Sequence, residues 1–380
     1  DMYDGANKFS LIAIPMFVLA GAIMNATGIT HRLISFVSAL IGFVRGGLAM
    51  VNVGVSLFFA EISGSAVADV AAMGSILIPE MKKRGYTAAF SAAITSSSAS
   101  LAIIIPPSIP MILYGVSAQT SIEQLFVAGV VPGLIGAFGL MFVAYVFARR
   151  YNLPTEEAFN IPRVRATFLD ALPAFSLPVI ILGGIFGGFV TATEAAGLAV
   201  LAALAVGAWY REIDIRHLKR AMLDGGMQTA VVMLLVAASV LMGGFLTRAQ
   251  VPQEIARSIL DFTSEQWVIL LILNFFFLVI GFFLHSAAAI ILVVPIIIPL
   301  IEAAQIDPVH FGLVVTLNLA IGQQTPPVAS VLITACAVAR ANIWDVSKIN
   351  VWFVAVLLVV LMLCTYVPAV PMFLVEYFYR

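Results

Sequence analysis

Long apolar runs limit what this chain can fold into. The run "VWFVAVLLVVLMLCTYVPAV" (351–370) matches the roughly 20 residues that a helix needs to cross about 30 Å of hydrocarbon. Similar runs recur, and charged residues make up only 10% of the 380, whereas a water-soluble domain carries about a quarter. The sequence therefore predicts an all-α polytopic membrane protein embedded in a lipid bilayer.

Glycine, proline and charge clusters divide the apolar sequence into eight predicted crossings. They lie near 9–26, 86–116, 124–147, 173–190, 192–210, 227–246, 310–338 and 351–371. Two further apolar regions are too long for one span, and each is interrupted by small polar residues, "EISGSAVAD" (61–69) and "FLHSAAA" (283–289). We predict that each region is a half-depth re-entrant hairpin, with one long tilted helix as the alternative.

Basic residues indicate the sidedness of these crossings. They cluster in four places: 82–84, 149–165, 211–220 and 340–348. With eight crossings and same-side hairpins, all four clusters fall on one face, which the positive-inside bias makes cytoplasmic; Arg248 and Arg257 are exceptions. Both ends of the chain are then predicted to be periplasmic. Because the chain starts at Asp1 and runs directly into a span, we expect an earlier segment to be missing.

The two halves of the sequence share a spacing pattern. Pro79 and Pro106–Pro107 recur as Pro299 and Pro326–Pro327, at a constant offset of 220 residues. The same offset aligns the two hairpin tips and lays "ILIPEM" (76–81) over "IIIPLI" (296–301). Since the second hairpin is predicted to open opposite to the first, this is an inverted-topology repeat. Such repeats are typical of secondary transporters with binding sites at mid-membrane.

The double prolines predict the chemistry of such a site. Proline breaks a helix and frees backbone carbonyls, which in lipid must be buried or line a wet cavity. Together with Ser, Thr and Asn oxygens, they form hard neutral ligands suited to Na⁺. Helices that restart at the double prolines would point positive dipole ends at an anionic substrate. We therefore predict two related Na⁺ sites beside one anion site, with Na⁺ as coupling ion and no other metal or cofactor.

Candidate ligands follow from the hairpin tips and the broken helices. The first Na⁺ site is predicted at Ser63, Gly64, Ser65, Ser96, Ser97 and Ser98, and the second at Ser286, Thr316, Asn318, Gly322 and Thr325. The predicted substrate-lining residues are Asp69, Pro106, Pro107, Gln323, Gln324, Pro326 and Pro327. Each Ser or Thr has the alternative role of bonding back to a helix carbonyl, and Asp69 that of capping the hairpin's second helix or pairing with a structural arginine. Gln323 and Gln324 are open between substrate contact and cavity lining, and the sequence shows no span-centre arginine to clamp a carboxylate.

This pattern predicts a transport module in two parts and a scaffold around it. The transport module comprises 46–116 (hairpin 46–81, broken helix 86–116) and 263–340 (hairpin 265–301, broken helix 310–338). Scaffold spans are predicted at 1–26, 117–246 and 341–380. The segments 27–45 and 247–262 mix apolar and polar residues and are predicted to be interfacial arm helices that link the scaffold to the module.

Three motifs carry a resemblance to a known family. "SGSAVADVAAMGSILIPEMKKRGY" (63–86), "IIPPSIPMILYG" (104–115) and "NLAIGQQTPPVASVLITACAVA" (318–339) resemble the large membrane subunit of TRAP (tripartite ATP-independent periplasmic) transporters. The resemblance, to DctM-like and SiaM-like subunits, extends over essentially the whole chain.

This resemblance implies Na⁺-coupled import of a C4-dicarboxylate or sialic-acid-like anion across a bacterial inner membrane. It also implies two partners, a small four-helix membrane subunit and a periplasmic substrate-binding protein, and an elevator mechanism like that of the ion transporter superfamily. Members normally carry an additional N-terminal span.

The sequence leaves three alternative functions: a related transporter, an intramembrane hydrolase and a channel. A related organic-anion transporter, coupled to H⁺ or Na⁺, would work without a binding protein. An intramembrane hydrolase would use Ser65 as nucleophile and His285 as base, but no third orienting group is evident. A channel would need a continuous polar pore. The net charge of −1 gives no sign of nucleic-acid binding, and an enzymatic role is not expected.

Overall fold

The computed structural model describes residues 7–153, 155 and 158–379, except for the side chains of 61–63, 217, 221 and 224. These residues form helices joined by short loops, and one isolated β-bridge links Arg45 to Thr155. An apolar chain of this kind satisfies its backbone within helices because lipid offers no hydrogen-bond partners. The predicted all-α membrane fold is confirmed.

The first half of the chain contains the first hairpin and the first broken helix. Its helices are α1 (Ala13–Ala26), α2 (Ile29–Ile41), α3 (Gly47–Ser63), α4 (Ala66–Lys83), α5 (Ala88–Ala99), α6 (Ile109–Ala118), α7 (Ile122–Arg150) and α8 (Ile161–Ala171). Short 3₁₀ turns, Phe9–Ile12 and Ser100–Ile103, precede α1 and extend α5.

The second half repeats this order after two connecting helices. Its helices are α9 (Ser176–Phe186, with a π turn), α10 (Ala192–Trp209), α11 (Ile215–Arg248), α12 (Val251–Phe262), α13 (Gln266–Phe283), α14 (Ser286–Ala303), α15 (Pro308–Gly322), α16 (Ser330–Ala339), α17 (Ile343–Tyr366) and α18 (Ala369–Tyr379).

Within the described residues, seven helices are long and apolar enough to cross a membrane. They are Phe9–Ala26, Ile122–Arg150, Ala192–Trp209, Leu218–Arg248, Gln266–Phe283, Ser286–Ala303 and Ile343–Tyr366. The pair α8 and α9, bent by 55°, would be an eighth. The predicted crossings at 86–116 and 310–338 are each two short helices around a break. In both predicted hairpin regions the helix is interrupted at the predicted tip. In the second region, the two helices α13 and α14 are each long enough to cross a membrane alone.

Packing between the two halves is reciprocal. Helix α4 of the first hairpin packs against α16 of the second broken helix, and α14 of the second hairpin packs against α6 of the first. Within each half, α3 contacts α5 and α13 contacts α15. The neighbours of the broken helices also correspond, because α17 contacts α5 and α7 contacts α15. The repeated spacing of the sequence thus corresponds to a repeated arrangement in space.

A separate group of helices surrounds this core. Helix α1 packs against α10 and α11, and α11 also contacts α14 of the second hairpin. The two amphipathic helices, α2 and α12, contact α3 and α14, one in each hairpin. Helix α11 therefore lies beside the second hairpin.

Candidate functional site

A cavity of about 610 Å³ lies between the two hairpin turns and α11. Its polar lining comes from seven side chains, those of Ser65, Gln228, His285, Ser286, Gln323, Ser330 and Thr334. The rest of its wall is apolar, with valines, isoleucines, alanines and a leucine. No Lys, Arg, Asp or Glu is among the lining residues, which all belong to the described part of the chain, and His285 is their one titratable side chain.

Four helices begin at this cavity. The lining includes Ala66 of α4, Ile109 of α6, Ser286 of α14 and Ser330 of α16, each the first residue of its helix. The first turn of a helix leaves backbone N–H groups without intrahelical partners and carries partial positive charge. The cavity therefore favours an anion through backbone dipoles rather than through a fixed cationic side chain.

The first hairpin turn rests on the first proline break. Gly64 has a φ of +59°, and a Cβ there would lie 2.9 Å from the Pro107 carbonyl oxygen and 3.2 Å from the Ile109 nitrogen. Only glycine accommodates both the left-handed backbone and this close approach. Ser65 then caps α4, since its hydroxyl accepts a hydrogen bond from Ala68 N–H at 3.5 Å. The predicted meeting of hairpin tip and broken helix is present in this half.

The second hairpin meets the second break through two glycines. A Cβ on Gly322 would lie 2.5 Å from the Gly281 Cα, so α13 and α15 cross in direct backbone contact. Val328 N–H donates to the Phe282 carbonyl at 3.3 Å and ties the break to the end of α13. His285 caps α14 by accepting from Ala287 N–H at 3.4 Å. Both proline breaks, Pro106–Pro107 and Pro326–Pro327, contain a cis peptide bond.

The residues of the predicted first Na⁺ site are distributed over several contacts. Gly64 and Ser65 line the cavity, whereas the Ser63 side chain lies outside the described residues. Ser96 donates to the Ala93 carbonyl at 3.0 Å, and Ser97 and Ser98 belong to two separate buried clusters. Gly64 thus lies against Pro107 and Ile109, whereas the hydroxyls of Ser97 and Ser98 contact side chains of other helices.

Two buried asparagine clusters occupy corresponding places in the two halves. In the first, Asn52 of α3 donates to Thr95 at 2.7 Å and accepts from Ser98 at 2.9 Å. In the second, Asn318 of α15 donates to Asn274 of α13 at 2.7 Å. Ser98 and Asn318 are 220 residues apart, the offset of the repeat. In each half, an asparagine in the first hairpin helix therefore fixes the first part of the broken helix.

The residues of the predicted second Na⁺ site also enter several different contacts. Ser286 lines the cavity, and Gly322 lies against α13. Thr316 and Thr325 donate back to the Leu313 and Ile321 carbonyls at 2.8 and 3.0 Å. These threonine hydroxyls adopt the ordinary helix contact that the sequence left open as an alternative.

Asn318 is a candidate oxygen ligand for a cation in the second half of the chain. Its side chain is fully buried, and both of its hydrogen bonds, to Asn274 and to the Val314 carbonyl, use the amide nitrogen. The Oδ1 atom has no hydrogen-bond partner. A buried acceptor without a donor is costly, so this oxygen fits a neutral ligand for a hard cation.

The predicted substrate-lining residues fall into three groups. Gln323 lines the cavity, and its Oε1 accepts a hydrogen bond from Ser330 at 3.3 Å. Asp69 is fully buried in the first turn of α4, where an acid is favourable for the helix dipole, but it is not among the lining residues. The remaining five, also outside the lining, are Pro106, Pro107, Gln324, Pro326 and Pro327.

The match to a family model identifies the chain. Residues 1–370 match the model described as the DctM component of tripartite ATP-independent periplasmic transporters. The chain belongs to the DctM family of TRAP transporters.

Relatives in this family are named as permeases. The chain is 40% identical to the isethionate TRAP transporter permease protein DctMQ of Oleidesulfovibrio alaskensis, over 98% of this chain and 59% of that protein. It is 38% identical to the C4-dicarboxylate TRAP transporter large permease protein DctM of Pseudomonas aeruginosa, over 98% of this chain and 87% of that protein. The chain is therefore a transporter permease and not an enzyme, and the hydrolase alternative is wrong.

A solved structure shares the fold of this DctM-family chain at low sequence identity. The crystal structure of the Alcanivorax borkumensis YdaH transporter superposes with a TM-score of 0.70 and 13% identity, over 96% of this chain and 86% of that one. At this identity, the similarity concerns the fold alone.

The sequence did not single out several polar residues that the DctM fold buries or places in the cavity lining. They are Asn52, Asn274, Asn350, Gln228, Ser330 and Thr334. Two sequence signals were present for some of them. Ser330 aligns with Pro110 at the repeat offset, just after the double proline, and the asparagines are rare polar residues in otherwise apolar runs. The remaining positions depend on long-range packing.

Proposed function

We propose that this permease imports a small organic anion across the bacterial inner membrane in symport with Na⁺. The anion binds in the cavity between the two hairpin turns, and a periplasmic binding protein delivers it. The observation that carries the proposal is the convergence of four helix N-termini on a cavity with no charged lining side chain.

Electrostatics supports the anionic substrate. Ala66, Ile109, Ser286 and Ser330, the first residues of four helices, line the cavity, and the positive ends of the helix dipoles favour an anion there. His285 adds a directed donor, because Nδ1 accepts from Ala287 N–H and the ring proton of the neutral imidazole is then on Nε2. Carboxylate and sulfonate groups both suit such a site, in keeping with the dicarboxylate and isethionate named for relatives.

Oxygen chemistry at the breaks supports Na⁺ as the coupling ion. Asn318 presents a buried Oδ1 without a donor, and the Pro107 carbonyl lies at the tip of the first hairpin. Neutral oxygens suit a monovalent cation. The described residues contain no cluster of His, Cys, Asp and Glu that could hold a metal ion. Positive charge from Na⁺ near the cavity would offset the charge of the substrate.

Membership of a tripartite family supports the two partners, a small membrane subunit and a binding protein. The isethionate relative, whose length exceeds that of this chain, is named DctMQ. Reciprocal packing of the two hairpins and broken helices supports a transport module that moves as one body. The amphipathic helices α2 and α12 contact this module from outside, as the arms of an elevator would.

The alternative is a permease coupled to H⁺ that works without a binding protein. His285 is the observation that favours it, because this is the one titratable residue in the cavity lining. Proton coupling would make uptake depend on a pH gradient and on this imidazole.

Reconstitution tests these alternatives. The permease, its membrane subunit and the binding protein loaded with a radiolabelled organic acid are combined in liposomes. We expect uptake with an inward Na⁺ gradient, and none with choline in place of Na⁺. Uptake driven equally well by a proton gradient without Na⁺ would contradict the Na⁺ coupling, and uptake without the binding protein would favour the alternative.

A further inference from the structure

A buried cluster of three oxygens lies where both broken helices meet α17. Ser97 Oγ of α5 is 2.7 Å from Gln324 Oε1, which belongs to the second break. The same Oγ is 2.7 Å from Asn350 Oδ1 of α17. All three residues are at most 2% exposed. None of them lines the substrate cavity.

This cluster has fewer hydrogens than its contacts require. A serine hydroxyl donates one hydrogen bond, so it serves only one of the two amide oxygens fully. The amide orientations are held by other bonds, because Gln324 Nε2 donates to the Ala320 carbonyl at 3.4 Å and Asn350 Nδ2 donates to the Gln324 carbonyl at 3.1 Å. Flipping either amide would relieve one contact but would turn an amide oxygen toward a backbone carbonyl.

A cation resolves this shortage of donors. Three neutral oxygens without a carboxylate suit a monovalent hard ion rather than a divalent or transition metal. Small outward shifts of the three side chains would admit such an ion between them. In a buried setting, an ion would also remove the cost of acceptors that lack a donor.

We propose that Ser97, Gln324 and Asn350 form a buried Na⁺ site that is distinct from the sites at the hairpin tips. This rests on the proposed Na⁺ coupling and adds Asn350 of α17 to the ion-binding residues. The ion would join the first broken helix, the second break and α17. Its binding would therefore stabilise the arrangement in which both halves of the repeat face the cavity.

Thermal unfolding of the purified complete transporter tests the site without transport. The melting temperature is measured against NaCl concentration, with choline chloride keeping the ionic strength constant. The Na⁺ midpoint is the Na⁺ concentration at which half of the rise in melting temperature is reached. Ser97→Ala removes one ligand and is expected to raise this midpoint about tenfold, the effect of losing one bond to a charged group. Asn350→Asp keeps the ligand oxygen and adds a negative charge but loses the bond to the Gln324 carbonyl, so it is expected to lower both the Na⁺ midpoint and the melting temperature without Na⁺.

Ser100→Ala is the matched control. Ser100 follows Ser97 by one turn, is equally buried, and donates only to the Ser96 carbonyl, at 3.0 Å. Its midpoint is expected to equal that of the wild type. Binding of ²²Na⁺ gives a second readout, in which Ser97→Ala is expected to bind one ion fewer per permease at Na⁺ concentrations that saturate the wild type.

The outcomes separate this site from the proposed function. If Na⁺ stabilises the wild type and both variants show the wild-type midpoint, the site is refuted while Na⁺ coupling stands. If Na⁺ stabilises the wild type no more than choline does, both are refuted. A variant of Ser97 that does not fold leaves Asn350→Asp, whose midpoint decides the question: a pure hydrogen-bond cluster would lower its melting temperature equally at every Na⁺ concentration.

Discussion

Single residues at the two hairpin turns decide how closely each turn approaches its broken helix. Gly64 permits a backbone contact with Pro107, and Gly281 and Gly322 permit one between α13 and α15. The sequence predicted Gly64 as a ligand for its carbonyl. The structure shows that its missing Cβ matters as well, because a side chain there would separate the tip from the break.

Gly64→Ala tests the first of these contacts. The added Cβ must displace the Pro107 carbonyl in addition to the backbone cost of about 1–2 kcal/mol for a positive φ. We expect a lower melting temperature and reduced uptake at unchanged protein level. Gly85→Ala is the control, because Gly85 also has a positive φ, of +86°, but a Cβ there meets nothing within 4 Å. Equal effects of the two substitutions would show that the contact with Pro107 is unimportant.

His285 is the residue whose interpretation changes most. As a lone histidine it is by default a packing residue, yet it lines the cavity and caps α14. Its predicted counterpart Ser65 does the same for α4. The repeat offset of 220 residues identified these two as equivalents, but only the structure shows that both reach one cavity.

His285→Ala removes the proposed donor to the substrate. We expect the substrate concentration for half-maximal uptake to rise about tenfold, as for loss of one hydrogen bond to a charged group. His285→Gln retains an N–H donor and should fall between alanine and wild type. Melting temperatures of both variants control for folding. If both variants transport with wild-type affinity, His285 does not contact the substrate.

At the scale of elements, an ion pair fixes one end of the amphipathic helix α2. Arg32 lies 2.8 Å from Glu212, in the loop before α11, and 3.5 Å from Asp170 of α8. Its guanidinium also stacks on Tyr210, 3.8 Å from the ring centre. The hydrogen bond from Arg32 holds the pKa of Glu212 below its usual value. This anchor ties the start of α2 to the surrounding helices, while the rest of α2 contacts α3 of the first hairpin.

Glu212→Gln tests the anchor. A carboxylate with a lowered pKa in the folded state stabilises the fold above its ordinary pKa of 4.5, and this stabilisation is lost as the pH falls through the folded value. We expect the variant to melt slightly below the wild type at pH 7, with a difference that disappears as the pH falls through the lowered pKa of Glu212. The effect is small because Glu212 is largely exposed. Glu254→Gln, at an exposed position of the other amphipathic helix α12, is the control. Equal melting at pH 7 would contradict the anchor.

The sequence predicted where helices break and turn better than it predicted which side chains meet. Both breaks and both hairpin turns lie where the prolines and small polar residues indicated, because those residues act locally on the helix. The direction of each side chain was not predictable in this way. Ser96, Ser97 and Ser98 are adjacent in sequence, yet successive helix positions point to different faces, so the three hydroxyls enter three different contacts.

For the whole molecule, composition and repeat together determined much of the architecture. The density of apolar residues required a helical membrane protein, and the offset of 220 predicted equivalent halves, which pack reciprocally in the structure. The contribution of α17 was not predictable, since Asn350 meets Ser97 and Gln324 only through long-range packing. Asp69, predicted to line the substrate site, is fully buried and is not among the residues that line this cavity.

The central claim is that the organic anion occupies the cavity between the hairpin turns. A cysteine at Ser330, in the cavity lining, reports on this through its rate of modification by a charged thiol reagent, against a low background because Cys336 and Cys364 are buried. Val328→Cys is the control, because Val328 is exposed in the same break but does not line the cavity. We predict that substrate together with Na⁺ slows modification at position 330 and not at position 328. An unchanged rate at position 330 under saturating substrate and Na⁺ would contradict the account.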